Sequence, residues 1–482
     1  MTSESTTTGM SPFQKSKPWW NPRSEQLRGC MLIVQDNARL FLPPGKGKTS
    51  TVLKTFKSLK KAGFVDALLV LAPLRVITTS WPQDLEKWAD FDDLTYTTIH
   101  GGRDGRTAAM KEDVDVYLMN VEGLLTTEWK LGDKRKGYPV NPIAIKFLNG
   151  KRFMLAVDES TKFKNSQSSR FKTLKKYLPY FERRVIMTGT PKPNTLEDLF
   201  AQCYITDGGA DLGQFITHFR NEYMQLGYDG QWHPQTTALQ RVAEKIAPTT
   251  LQLEDTEAMP LTVTDYWIPM PKEIEHEYNE LKKEFITSID GKTVMAPNSG
   301  VLLLRLRQLV QGAIWMPGEV DYTELHTKKQ DILENIMEEL NGDPLFCMYQ
   351  FKHDYLRLEK RLGTVPLPRI GSGVSAQQGA AWCRAFGAGL MPLLLGHPQS
   401  VAHGVDGLQN NCNNVCWLGI DWSWENYYQA NRRVARSGSK ADQVFIHRIL
   451  IDCPTERAML ASVEGKKTRE EEFLQLVREY CK

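Results

Sequence analysis

The sequence predicts an α/β protein with two units, each built on a parallel sheet, and three observations carry that expectation. Short apolar runs alternate with helical stretches in two separate regions, the pattern of parallel strands joined by crossover helices. One run opens into Gly45, Lys46, Gly47, Lys48, Thr49 and Ser50 directly before the helix-prone Val52 to Lys61, which is how a phosphate-cradling loop is written. The third is size: 482 residues, 41% of them hydrophobic and 24% charged, exceed one ordinary domain and suffice to bury real cores.

In the first region the strand candidates are Arg39 to Leu42, Ala67 to Ala72, Val116 to Asn120, Phe153 to Val157 and Arg184 to Met187. In the second they are Leu345 to Tyr349, Leu393 to Leu395, Asn414 to Leu418 and Val444 to Leu450. Between them Gln202 to Pro269 is polar with no clean alternation and reads as helical or irregular insertion. Glu273 to Leu309 has apolar residues at helical spacing and reads as one long helix opening the second unit. The expected division is a flexible tail over 1–20, a first lobe over 21–225, a connecting region over 226–270 and a second lobe over 271–482.

Lys plus Arg at 60 against Asp plus Glu at 57 leave a net charge of +3, so a polyanion has to be held by local basic patches. No apolar run reaches bilayer length, since Arg305 and Arg307 cut off Val301 to Leu304, and no membrane partner is expected. The stretch Met1 to Lys17 is rich in Ser and Thr and lacks an apolar signal core, which points to the cytoplasm, that of a bacterial host if the chain is viral. Of eight cysteines only Cys412 and Cys416 stand close together, and with no second pair of ligands nearby they read as buried thiols in a strand.

In the loop, Gly45 and Gly47 let backbone N–H groups wrap phosphates, Lys48 reaches the β- and γ-phosphates, and the Thr49 hydroxyl ligates Mg²⁺. The generic fingerprint opens with a further glycine, and here that position is Leu42. Downstream, the apolar strand over 153–157 runs straight into Asp158 and Glu159. Carboxylates at the end of a buried strand are costly unless they face a metal or a water. Asp158 suits the Mg²⁺ partner of Thr49, and Glu159 suits the residue that orients and deprotonates the attacking water. Thr188 and Thr190 flank a turn after the next strand and fit γ-phosphate sensing, although a plain strand turn explains that stretch nearly as well. Arg433 and Arg436 are three apart, on one face of a helix. They fit transition-state charge neutralisation, although read alone a solvated basic face is the better reading.

Taken in order, these blocks resemble the Swi/Snf-like branch of helicase superfamily two, and its compact phage-type members above all. The resemblance implies two tandem RecA-like lobes of the P-loop NTPase class, with parallel sheets and helical insertions. It implies ATP and Mg²⁺ as ligands, with Gln26, in Pro22 to Gln26, reading adenine. The Leu71 to Trp88 block, with Arg75, is similar to a block that touches the DNA backbone in that family, and Asp158 to Asn165 resembles its acidic box with a basic-Asn tail, where Lys162 and Lys164 are candidate contacts because they lie in a basic run. Ser160 and Thr161 stand where Ala and His are usual. The Thr188 to Gln202 and Leu304 to Gly312 blocks also match, and His397 to Gln409, with Ser400, Gly404 and Asp406, resembles the phage-type coupling block. Gln429 to Gly438 resembles the arginine block, with Ser439 replacing a common Gln, and Thr455, Glu456, Lys466 and Lys467 match the closing brace. The implied activity is DNA-dependent ATP hydrolysis coupled to movement along DNA, duplex favoured, with strand-separating DNA or RNA helicases of the superfamily as the alternative. Other replication, recombination or repair proteins are the implied further partners. The run Lys151 to Arg184, with ten basic and three acidic residues, supplies backbone contacts on this reading and a solvated basic surface on the other.

Overall fold

A computed structural model describes residues 17–131, 140–191, 195–228, 230–253, 259–289, 292–316, 321–402, 407–435, 439 and 441–480, with side chains described as far as 468. Among these, residues up to 37, 47–157 and 173–185 make one compact unit, and 38–46, 158–172 and 186 onwards make another.

In chain order the strands begin with β1 (Ala38–Phe41), β2 (Ala67–Ala72), β3 (Tyr96–Ile99), β4 (Val116–Asn120), β5 (Phe153–Asp158) and β6 (Phe181–Thr188). A hairpin, β7 (Met224–Leu226) and β8 (Trp232–Pro234), is followed by β9 (Thr250–Gln252) and β10 (Leu261–Ile268). Two more hairpins follow, β11 (Ile286–Ile289) with β12 (Lys292–Met295) and β13 (Ala313–Trp315) with β14 (Tyr322–Glu324). The series ends with β15 (Leu345–Met348), β16 (Arg369–Ile370), β17 (Leu393–Gly396), β18 (Asn414–Trp417) and β19 (Val444–Ile451).

The larger sheet has the order β3-β4-β2-β5-β6-β1-β9 and the smaller β10-β19-β18-β15-β17-β16. Strands β2 and β5 pair in parallel, Ala67 opposite Phe153 and Leu71 opposite Val157, and every residue of both is buried. That is why they read as unbroken apolar runs: a parallel strand covered on both faces has no polar side to show. In the smaller sheet the alternation sorts neighbours to opposite faces. Phe346, Val415 and Trp417 enter one core cluster, and Leu345, Cys347 and Cys416 enter another. Each expected strand forms, most with ends moved by one residue, and both sheets carry helices in the crossovers, so the fold is α/β with two RecA-like lobes.

Two expectations fail. The stretch 273–309 is not one helix: helices Lys272–Glu284 and Ser299–Gln311 flank the β11–β12 hairpin. Phe285 leaves the first helix in the left-handed region at φ 60°, the β-branched Ile286 and Thr287 favour a strand, and the Asn298 side chain caps the second by accepting the Val301 N–H at 3.0 Å. The 202–269 stretch is helical in part, as expected, over Ile216–Tyr223 and Ala238–Ile246, but the rest is not irregular. It supplies β7 to β10, and β10 pairs with β19 in parallel along its whole length. Its outer residues are exposed, as on a sheet edge, so it lacks the apolar run that marks a central strand. The short strands β3, β9 and β16 were likewise not anticipated.

Cys412 and Cys416 are both buried and free, and burial pushes the Cys412 thiol up to about 12. Its Sγ donates to the Asn414 carbonyl at 3.2 Å. No helix among the described residues is long and apolar enough to cross a membrane.

Candidate nucleotide site

Strand β1 delivers the phosphate loop, and a buried charge holds β1 in place. Arg39 is fully buried and its guanidinium donates to Asp207 and Asp211, the latter at 2.7 Å. Beyond the strand, Leu42 occupies the position where the generic fingerprint has a glycine. It is wholly buried, its N–H donates to the Thr188 carbonyl at 3.1 Å, and it does not adopt a positive φ, so no glycine is required there.

Gly45 and Gly47 do need to be glycine. Their φ angles are 81° and 69°, a region that side chains disfavour. A Cβ on Gly47 would stand 2.3 Å from Gln26 Nε2. The helix Lys48–Lys61 begins on Gly47, so its first N–H groups and the positive end of its dipole lie at the loop. Gln26 is buried and both ends of its amide are engaged. Nε2 donates to the Gly47 carbonyl and the Ser50 hydroxyl, both at 3.3 Å, while Oε1 accepts the Arg23 N–H at 2.9 Å. The Ser50 and Thr51 hydroxyls donate to the same Gly47 carbonyl at 3.0 and 2.9 Å. Lys46 is buried, and Lys48 and Thr49 are half-buried. Two glycines with positive φ before a helix N-terminus, with Lys48 and the Thr49 hydroxyl in its first turn, suit a polyphosphate and its cation.

The acidic loop is built otherwise. Asp158 ends β5, is buried, and its Oδ1 accepts the Glu159 N–H at 3.1 Å. Glu159 sits at φ 56°, ψ 59°, a left-handed conformation that costs a non-glycine residue about 1–3 kcal/mol and persists only where its surroundings fix it. Those surroundings are side-chain hydrogen bonds. Ser160 donates to Gln202 Oε1 at 2.7 Å, and Gln202 Nε2 donates to the carbonyls of Pro191 and Asp198, both at 2.6 Å. Thr161 donates to Glu425 Oε1 at 2.6 Å, and the Lys164 ammonium lies 4.0 Å from Glu425 Oε2. Gln429 Nε2 donates to Glu159 Oε2 at 3.2 Å, and Gln429 Oε1 is buried with no hydrogen-bond partner among the described residues.

Thr188 and Thr190 are buried at the end of β6, and the Thr190 N–H donates to Thr188 Oγ1 at 3.1 Å. A Cβ on Gly189 would meet Pro44 Cδ at 3.4 Å and the Leu42 carbonyl at 3.5 Å, so this turn packs against the stem of the phosphate loop. Arg433 is half-buried near the end of the helix Trp424–Val434. It shares one stripe with Gln429 and Glu425, at spacings of four. Arg436, Gly404 and Asp406 lie outside the described residues.

Of the residues assigned to nucleic acid, Arg75 is half-buried in the short helix Leu74–Thr78 that follows β2, and Ser400 is half-buried in the short helix Pro398–Ala402 that follows β17. Lys162 lies in the 3₁₀ turn Ser160–Phe163 and Lys164 closes it, both half-buried. Sequence reasoning missed Glu425 and the bonds made by Gln202. The only sequence signal for Glu425 is its place one turn before Gln429.

A family profile described as the SNF2-related domain matches residues 20–297, more than half of the chain. The chain is similar to p41 of Acyrthosiphon pisum secondary endosymbiont phage 1, 26% identical over 454 residues that cover 90% of this chain and 93% of that protein. It is 31% identical over 167 residues to the chromodomain-helicase-DNA-binding protein 3 homolog of Caenorhabditis elegans, covering 32% of this chain but only 9% of that much longer protein. Among solved structures, the SWI2/SNF2 ATPase core of Sulfolobus solfataricus in complex with dsDNA matches over 97% of both chains, at 20% identity and a TM-score of 0.42. The ordered blocks and the extent of the profile match agree: the chain belongs to the SNF2-related family and is a compact, phage-type, Swi/Snf-like ATPase of helicase superfamily two, an ATP hydrolase.

Proposed function

We propose that the chain is an ATP-driven DNA translocase that moves along duplex DNA without routinely parting its strands. The observation that carries this reading is the hydrogen bond from Gln429 to Glu159, because it joins the acidic loop to the helix that bears Arg433. A motor needs such a joint, in which the hydrolytic residue reports to the element that responds to nucleotide.

On this reading Lys48 neutralises charge on the β- and γ-phosphates, and the Thr49 hydroxyl and Asp158 carboxylate hold Mg²⁺. Bound there, the cation screens the phosphate oxygens and stabilises charge on the leaving group. Glu159 orients the attacking water and takes its proton, and the buried Gln429 Oε1 offers that water a second acceptor. Arg433 and Arg436 offset charge that develops in the transition state, a role typically worth about 10³ to 10⁵ in rate. Gln26 holds the loop through Gly47 and Ser50, bonds that take both its amide donors, so on this reading it meets the base only as an acceptor through Oε1. Thr188 and Thr190 sense the γ-phosphate, and Gly404 and Asp406 belong to the coupling block. Arg75, Lys162, Lys164 and Ser400 contact the nucleic-acid backbone, so binding is salt-sensitive and nearly independent of sequence. The basic run 151–184 supports a polyanion partner, and the worm relative carries DNA binding in its name.

Strand separation has one observation in its favour. The β7–β8 hairpin presents Leu226 at 62% exposure and a fully exposed Tyr228 at its tip, an aromatic suited to stacking on a splayed base. Unwinding must break stacking of about 1.4 kcal/mol per base-pair step, which backbone tracking does not require. Displacement of a triplex-forming strand is compared with unwinding of a forked duplex at the same ATP and salt. Triplex displacement without fork unwinding is expected, whereas fork unwinding without triplex displacement overturns the reading in favour of a conventional helicase.

A further inference from the structure

Glu425 is a buried carboxylate, 8% exposed, in the first turn of the helix Trp424–Val434, and none of the roles above accounts for it. Ser423 caps that helix by accepting the Asn426 N–H at 3.2 Å. Trp417 Nε1 donates to Asn431 Oδ1 at 3.0 Å, which seats the helix against β18. The apolar face, Trp424, Tyr427, Ala430 and Val434, enters the core. The helix is therefore a fixed support, and what it grips is positioned by it.

It grips the acidic loop twice, one turn apart. Gln429 takes the Glu159 carboxylate at the loop's start, and Glu425 takes the Thr161 hydroxyl two residues on, with the Lys164 ammonium beside it. Glu159 needs such fixing because its backbone is in the left-handed region, where it does not stay by local preference. The two contacts reach the same short turn from one helix, so the Thr161 bond constrains the backbone that carries the Glu159 side chain as well as the residue next to it. Thr161 is itself 3% exposed, so its hydroxyl has little water to replace the bond.

We infer that Glu425 is a positioning residue for ATP hydrolysis: through the Thr161 hydroxyl it fixes Glu159 relative to the helix stripe that carries Gln429 and Arg433. The inference rests on the reading of Glu159 as the residue that activates water.

The test is steady-state ATP turnover by the full chain with Mg²⁺ and duplex DNA, together with thermal melting. Glu425→Ala and Thr161→Val each lower kcat about tenfold with KM for ATP within about twofold of wild type, the loss of one buried hydrogen bond at the reacting centre. The double variant is no slower than the slower single one, because both remove the same contact. Glu425→Gln keeps an acceptor oxygen and Thr161→Ser keeps the hydroxyl, so both return kcat to within about twofold of wild type. A purely structural role predicts a lowered melting temperature and no kcat-specific loss. Wild-type kcat in the near-isosteric Thr161→Val, or losses that multiply in the double variant, overturns the inference. A Glu159→Gln control separates the two levels. If that control is inactive while Thr161→Val is normal, only the positioning role falls; if the control turns over ATP at the wild-type rate, the assignment of Glu159 falls and this inference with it.

Discussion

The phosphate loop and the acidic loop hold the residues assigned to the same reaction, yet they are built by opposite means. The phosphate loop is shaped by its own backbone: two glycines with positive φ turn it, and its brace, Gln26, lies 21 and 24 residues from the groups it binds. The acidic loop contains no glycine. Glu159 adopts its left-handed conformation against its own preference, and the tethers of the following Ser160 and Thr161 reach residues 42 and 264 positions away. A loop shaped by glycines keeps its form largely by itself, while a loop shaped by distant side chains takes its form from the elements that carry them. That difference suits a cradle in the first case and a sensor in the second.

The largest effect that sharpens this contrast is expected at the two charged residues themselves. Glu159→Gln lowers ATP turnover by about 10³-fold while leaving ATP binding intact, because the water loses its base and the phosphates lose nothing. Lys48→Ala loses at least about a hundredfold in turnover and weakens ATP binding as well. Turnover paired with equilibrium binding of a fluorescent ATP analogue separates them, and equal binding losses in the two variants would erase the distinction between cradle and sensor.

A smaller effect is expected at the brace. Gln26→Ala removes donors from the Gly47 carbonyl and Ser50, and KM for ATP is expected to rise about tenfold with kcat changed less. A fall in kcat with unchanged KM would place Gln26 with the sensing elements instead. The smallest effect is at Ser160→Ala. Gln202 keeps its two bonds to the Pro191 and Asp198 carbonyls, so turnover is expected to stay within about twofold and stability to fall by about 1 kcal/mol. A tenfold loss there would mean that the Ser160 tether, and not only the Thr161 tether, sets the position of Glu159.

The same contrast explains what was legible in the sequence. The central strands β2 and β5 were readable because burial on both faces makes them continuously apolar, and the phosphate loop because glycine and lysine at fixed spacing have few other uses. The edge strand β10 was not, since exposed edge residues carry no such signal, and neither was the break in 273–309, where the helical spacing runs on across a hairpin. At the candidate site, the apolar strand that runs into Asp158 and Glu159 was readable, and it ends where the sequence places it. Glu425 and the bonds of Gln202 were not, because a tether is a property of two distant segments brought together. Arg39 is a further case: a charged residue within a strand candidate whose partners, Asp207 and Asp211, lie 168 and 172 positions away.

The proposal that ATP hydrolysis serves movement on duplex DNA is tested most directly by the ATP turnover of the wild-type chain. It is measured in parallel with no nucleic acid, with duplex DNA, with single-stranded DNA and with RNA, at one salt concentration. The account predicts the largest stimulation by duplex DNA, a lesser one by single strands and little by RNA; turnover that RNA stimulates most, or that no nucleic acid changes, would contradict it.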